Sequence, residues 1–154
     1  MADHRATITW QGTATPGDFV KLKFSREHTW TFDGGVTVAA SPSPSVVPAP
    51  WSSATAVDPE EAYVASVASC HMLTFLYVAA KAGFAVASYR DEAIGVMTKN
   101  ERGVPWVSRI TLAPVIGYAG DRQPSADELA KLHHAAHDGC FIANSVKTEI
   151  VVAS

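Results

Sequence analysis

Between Ala62 and Ala82 the chain is apolar for about the length of a membrane span, and no other stretch restricts the possible folds as much. Ser66, Ser69, His71, Thr74 and Lys81 interrupt it, so it reads as a helix buried in protein rather than in lipid. Asp58-Pro59-Glu60-Glu61 supplies the start. Asp58 can cap, Pro59 suits the first helical position because its missing N–H would be unbonded there anyway, and Glu61 can close a capping box. Gly83 supplies the end, since glycine accepts the left-handed conformation that terminates helices. The expected helix, 58–82, is apolar on nearly every side, which a helix on a protein surface does not tolerate. A chain of 154 residues has little left to cover it all round, so a dimer interface is expected.

The flanking segments read as strands and one further helix. Residues 6–10 and 19–24 alternate, and 29–32 run through Asp33-Gly34-Gly35 into 36–38, a hairpin signal because glycine takes the positive φ of a tight turn. Residues 41–57, with Pro42, Pro44, Pro48, Pro50 and Trp51, form a stiff loop. Beyond Gly83, strands are expected at 89–99 and 106–118 around a turn at Asn100-Glu101-Arg102-Gly103. Ser125-Ala126-Asp127-Glu128 opens a second capped helix that runs to about Asp138, with Asp127 and Glu128 as capping residues. Gly139-Cys140 marks a break, 141–145 a helical turn and 146–152 a last strand. The expected fold class is α+β in a single domain over 1–154: a β-meander (1–40), a loop (41–57), a central helix (58–82) and a ββαβ segment (84–154), with antiparallel sheets packed on the helix.

A net charge of −3 with scattered Lys and Arg gives no field for a phosphate backbone, which argues against nucleic acid. The N-terminus lacks a basic segment followed by an apolar one, so a cytoplasmic location is expected. Cys70 and Cys140 fit neither a disulfide-rich scaffold nor a Cys-x-x-Cys zinc site. They are either core filling or redox chemistry. For an isolated Cys70 in mid-helix, core filling is the favoured reading, because free cysteine is among the most buried residue types. Cys140 follows Gly139, where the chain can bend. His133, His134, His137 and Cys140 have the spacing of metal ligands, yet polar helix faces commonly carry histidine and no metal is expected. His71 points about 100° around the helix from Cys70 and is a poor direct base for it.

The segment Asp58-Pro59-Glu60-Glu61-Ala62-Tyr63-Val64-Ala65-Ser66-Val67-Ala68-Ser69-Cys70-His71 resembles the first-cysteine motif of the OsmC/Ohr family, the osmotically inducible and organic hydroperoxide resistance proteins. The segment His137-Asp138-Gly139-Cys140-Phe141-Ile142-Ala143-Asn144-Ser145 resembles its second-cysteine motif. Asp58 stands where Asn is common, and Phe141 where many members have Pro. The resemblance implies an intertwined α+β homodimer and an antioxidant, thiol-dependent peroxidase. Cys70 would attack organic hydroperoxides, with hydrogen peroxide a further candidate, and Cys140 would resolve the oxidised sulfur. It implies no resident cofactor and an external dithiol as reductant, a lipoyl-bearing protein being one candidate. Arg26, in Phe24-Ser25-Arg26-Glu27-His28, matches the arginine that engages the reactive sulfur, and Glu60 matches the acid that holds this arginine.

An ordinary thiol is only a few per cent thiolate at neutral pH, so a peroxidatic sulfur needs a stabilising cation. Lowering a thiol pKa by two units takes about 2.7 kcal/mol. Glu60 lies ten residues before Cys70, about 15 Å along one helix, too far for a single arginine to join them. The acid, and Arg26 with it, is therefore expected from the partner subunit. Trp51 is a candidate wall for the alkyl group of a substrate, or an anchor of its own loop. The residues also leave open related thiol chemistry with another acceptor, and a dimeric protein that binds a hydrophobic ligand or senses redox state.

Overall fold

In the computed structural model, which describes residues 3–153, the chain divides into two units, Met1–Ala62 and Tyr63–Ser154, with the border inside the long helix. In the first unit β1 (Ala6–Thr9), β2 (His28–Phe32) and β3 (Thr37–Ala40) pair antiparallel in the order β1-β2-β3, the expected meander. The β2–β3 turn closes with the Phe32 N–H donating to the Val36 carbonyl at 2.9 Å, and Gly35 supplies the positive φ of 86°.

Residues 19–24 correct the sequence reading. They are not a strand. Pro16–Phe19 forms a short helix, α1, capped by Thr15, whose Oγ1 accepts from the Asp18 N–H at 3.1 Å. Behind it the Lys23 N–H donates to the Asp18 carbonyl and the Leu22 N–H to the Phe19 carbonyl, both at 2.9 Å, with Leu22 left-handed at φ 64°. Local capping thus overrides the alternating pattern, even though a left-handed residue with a Cβ costs about 1 kcal/mol. The proline-rich loop is closed at its base: Val57 bridges Ala40 in parallel, and the buried Ser41 Oγ accepts from the Ser53 N–H at 2.8 Å.

Helix α2 spans Pro59–Lys81 and has both expected ends. Asp58 Oδ1 accepts from the Glu61 N–H at 2.7 Å while Glu61 Oε1 accepts from the Asp58 N–H at 2.8 Å. At the other end the Phe84 N–H donates to the Ala79 carbonyl and the Gly83 N–H to the Ala80 carbonyl, both at 3.0 Å, with Gly83 at φ 80°.

In the second unit the two long strands are each divided between two sheets. β4 (Ala85–Asp91) pairs with β7 (Pro114–Ala119), and β5 (Ile94–Lys99) with β6 (Pro105–Leu112). Both strands break at the same level. Pro114 has no N–H to donate, and the Ala113 N–H is taken by Asp91 Oδ1 at 2.7 Å instead of a ladder partner. The Asn100–Gly103 turn forms as expected, with Asn100 Oδ1 accepting from the Arg102 and Val104 N–H groups at 3.0 Å each. Helix α3 (Ala126–Gly139) carries the Ser125–Glu128 capping box, and a short 3-10 turn covers Ala143–Ser145. The last strand, β8 (Glu149–Val152), is parallel to β6, so the expectation of antiparallel sheets holds for every strand pairing in the described residues except this one.

Two apolar clusters form the core of this unit. Phe75 and Ala79 of α2 pack with Phe84 and with Leu132 and Ala136 of α3, and Val67 packs with Ile110 and Leu112 of β6. Val67, His71, Phe75 and Ala79 form the buried stripe of α2. By length and composition α2 is, among the described residues, the helix apolar enough to cross a membrane. Its opposite face is open in this chain, with Leu73 61% and Tyr77 62% exposed. Phe75 is fully buried beside Tyr89 and His133, so Phe75→Ala is expected to lower stability by about 3–5 kcal/mol, read from the urea unfolding midpoint.

Candidate functional site

Cys70 and Cys140 meet in the second unit. Cys70 lies in mid-α2, between the buried stripe and the open face, and lines a groove of about 710 Å³ with Ser66, Leu73, Tyr77, Phe141 and Ile142. Cys140 caps the end of α3 and is only 1% exposed. Both are free thiols, and Cys70 lies close enough to Cys140 for its side chain to act on the Cys140 thiol. Backbone N–H groups just past α3 are aimed at both sulfurs: Ile142 donates to Cys70 Sγ at 3.5 Å and Ala143 to Cys140 Sγ at 3.4 Å. Asn144 holds that turn, its Nδ2 donating to the carbonyls of Asp138 and Cys140 at 2.9 Å each. Gly139 permits the approach of α3 to α2, since a Cβ there would stand 3.0 Å from Thr74 Cγ2.

The two thiols differ in character. Burial, and next the neighbouring Cys70 side chain, push the Cys140 thiol up, while the N–H groups of Ala143 and Ile142 oppose this. Cys140 is therefore held as a buried thiol beside a half-exposed one. That asymmetry suits a pair in which one sulfur meets a reactant and the other waits.

Arg26 and Glu60 come together in the first unit, where they line a cavity of about 480 Å³ with apolar walls. Trp10, Phe19 and Phe24 form one wall; Phe19 stacks on Phe24 at 4.4 Å between ring centroids, with the Trp10 edge against Phe24 at 5.8 Å. The Arg26 guanidinium lies 4.1 Å above the Phe24 ring, with Nη1 donating to the Phe24 carbonyl at 3.0 Å. His28 fixes the Arg26 backbone. Its Nε2 accepts from Trp30 Nε1 at 2.9 Å, leaving Nδ1 to donate to the Arg26 carbonyl at 2.8 Å. Among the described residues, neither Arg26 nor Glu60 forms an ion pair. Trp51 is half-buried; its carbonyl accepts from the Arg26 N–H at 3.1 Å, and its side chain does not line this cavity. The Trp10–Phe19–Phe24 wall escaped the sequence reading, and the overlooked signal was Thr15-Pro16-Gly17-Asp18, a helix cap in front of Phe19.

The histidines of α3 lie apart from one another in role. His71 Nε2 and His133 Nδ1 are 3.1 Å apart, while His134 faces Asp138 at 3.4 Å on the surface. His133, His134 and His137 also line a largely apolar cavity of about 690 Å³ with Ile116, Tyr118 and Leu129. Among the described residues, no three His, Cys, Asp or Glu side chains are grouped to hold a metal ion.

Residues 52–154 match the family model described as OsmC-like protein. No curated protein matches the chain. Among solved structures, an OsmC-like protein of unknown function from Vibrio cholerae is 47% identical, with a TM-score of 0.94 over 99% of this chain and 99% of that one. An organic hydroperoxide resistance protein from Elizabethkingia anophelis shares the fold at 16% identity, with a TM-score of 0.71 over 100% of this chain and 97% of that one. One from Legionella pneumophila does so at 14% identity, with a TM-score of 0.66 over 100% and 98%. The family match over two thirds of the chain, together with the near-complete overlap with the Vibrio structure, places this protein in the OsmC-like family.

Proposed function

We propose that the chain is a thiol-dependent peroxidase that reduces organic hydroperoxides to alcohols. The contact between a half-exposed Cys70 on an apolar groove and a buried Cys140 carries this reading. The Cys70 thiolate attacks the distal oxygen of the hydroperoxide; the O–O bond breaks, the alkoxide takes a proton and leaves as alcohol, and the sulfur becomes a sulfenic acid. The Cys140 thiol then displaces water from that sulfur to give the disulfide, which shields it from further oxidation. An external dithiol, such as a lipoyl group, returns both thiols. Leu73, Tyr77 and Phe141 on the groove suit the alkyl part of such a substrate.

Arg26 and Glu60 are assigned to activation of the sulfur. Their unpaired state in one cavity, and the separation of Glu60 from Cys70 along α2 by about 15 Å, support delivery of both from a second subunit. The open apolar face around Leu73 and Tyr77 supports the same homodimer. The reaction is assigned to the cytoplasm, where thiols are kept reduced.

One equivalent of tert-butyl hydroperoxide is expected to consume two thiols in the parent, to leave a dimedone-trappable sulfenic acid in Cys140→Ser and to leave Cys70→Ser unchanged. Unreactive thiols in the parent would overturn the peroxidase reading and leave hydrophobic-ligand binding. Arg26→Met is expected to lower the second-order rate constant by about 100-fold, corresponding to about 2.7 kcal/mol of lost thiolate stabilisation. Iodoacetamide at pH 8 is expected to label Cys70 at least about tenfold faster than Cys140, read by mass spectrometry, because Cys140 is enclosed and its thiol pushed up.

A further inference from the structure

Helices α2 and α3 carry the two cysteines, and most of their contact is apolar, Phe75 and Ala79 against Leu132 and Ala136. One polar contact joins them among the described residues. His71, 1% exposed and next to Cys70, places Nε2 at 3.1 Å from Nδ1 of His133, seven residues before Cys140. The rings are nearly parallel, at 11° with centroids 5.4 Å apart, and Phe75 closes on His133 at 4.6 Å. A bond between these nitrogens requires one to donate and the other to keep its lone pair. An apolar pair would pack here without that demand.

We propose that the His71–His133 hydrogen bond is a brace that positions α2 against α3 so that Cys70 and Cys140 remain in disulfide-forming contact. The brace rests on the proposed pairing of the two sulfurs, but not on peroxide as their oxidant. His71 and His133 are positioning residues, since neither needs to touch the reactant. The groups facing the pair are His137 of α3, which disfavours a charge on His71, and Asp91 of β4, which favours one on His133. Asp91 Oδ2 is itself buried without a partner, and Tyr89 beside it is pushed up by burial. Burial, and then His133 and His137, hold His71 down at about 4, and burial also lowers His133. The folded-state value lies below the ordinary 6.5, so the unfolded chain binds this proton more readily. The resulting stability is complete above about pH 6.5 and is lost as pH falls toward 4.

The test equilibrates the whole protein in glutathione redox buffer at pH 7, where two protein thiols reduce one glutathione disulfide to two glutathione thiols and become the Cys70–Cys140 disulfide. His133→Phe keeps a flat apolar ring but no bonding atom, and is expected to lower the equilibrium constant for that disulfide about fivefold. His133→Asn restores a hydrogen-bonding atom at the place of Nδ1 and is expected to stay within about twofold of the parent. If His133→Phe does not fold, His71→Phe and His71→Gln make the same comparison from the other end. Between pH 7 and 4.5 the unfolding equilibrium constant of the parent is expected to rise by about 60-fold more than that of the His71→Phe, His133→Phe double variant. Equal disulfide constants in parent and Phe variants, or Asn or Gln variants as low as the Phe ones, would overturn the brace. Absence of the disulfide in every buffer would overturn both it and the proposed function. Thiols inert to peroxide with the expected glutathione pattern would remove the peroxidase alone.

Discussion

The structure depends on a helix with more apolar surface than one stripe. A surface helix hides its apolar residues along one side and offers water the other. Helix α2 buries Val67, His71, Phe75 and Ala79 and still presents Leu73 and Tyr77 outward. Cys70 sits where these two sides meet, and its position follows from the helix phase. A sulfur in the buried stripe would be closed to reactants, and one in the middle of the open face would have no neighbour to bond with. The end of α3 supplies that neighbour, and Gly139 lets it come close.

The legible parts of the fold are those encoded over four or five residues. Asp58 and Glu61, Ser125 and Glu128, Gly83 and Asn100 act through atoms of their own segment, and each forms the cap or turn its type suggests. Where two local signals compete, pattern alone does not choose between them. Alternation at 19–24 suggested a strand, but the Thr15 cap and the bonds closing α1 satisfy backbone groups that an unpaired strand would leave open. The switch of both long strands between sheets at Asp91–Pro114 is set by a side chain bonding to a backbone group 22 positions away, which no window along the chain contains.

The site divides along the same line. Cys70 and Cys140 were nameable as a pair only through family motifs, because nothing in a spacing of 70 residues brings two sulfurs together. The contact of His71 with His133 has no motif at all, and His71 looked unremarkable as a neighbour pointing away from Cys70. That direction is what lets it reach α3. Arg26 and Glu60 line one cavity without an ion pair between them among the described residues, and its aromatic wall is built by Trp10, Phe19 and Phe24.

The parallel pairing of β8 with β6 has a consequence for how the chain is made. The strand that completes this sheet is the last element among the described residues, so its pairing with β6 must close a loop over residues 113–148, which hold β7 and α3. Loop closure of this kind is slow compared with helix formation and with hairpins such as β5–β6. On the ribosome, Cys70 emerges long before Cys140 and stays without its partner while β4 to β7 and α3 are made. The nascent second unit thus carries a single thiol, and the fold offers that sulfur no partner until Cys140 has been added.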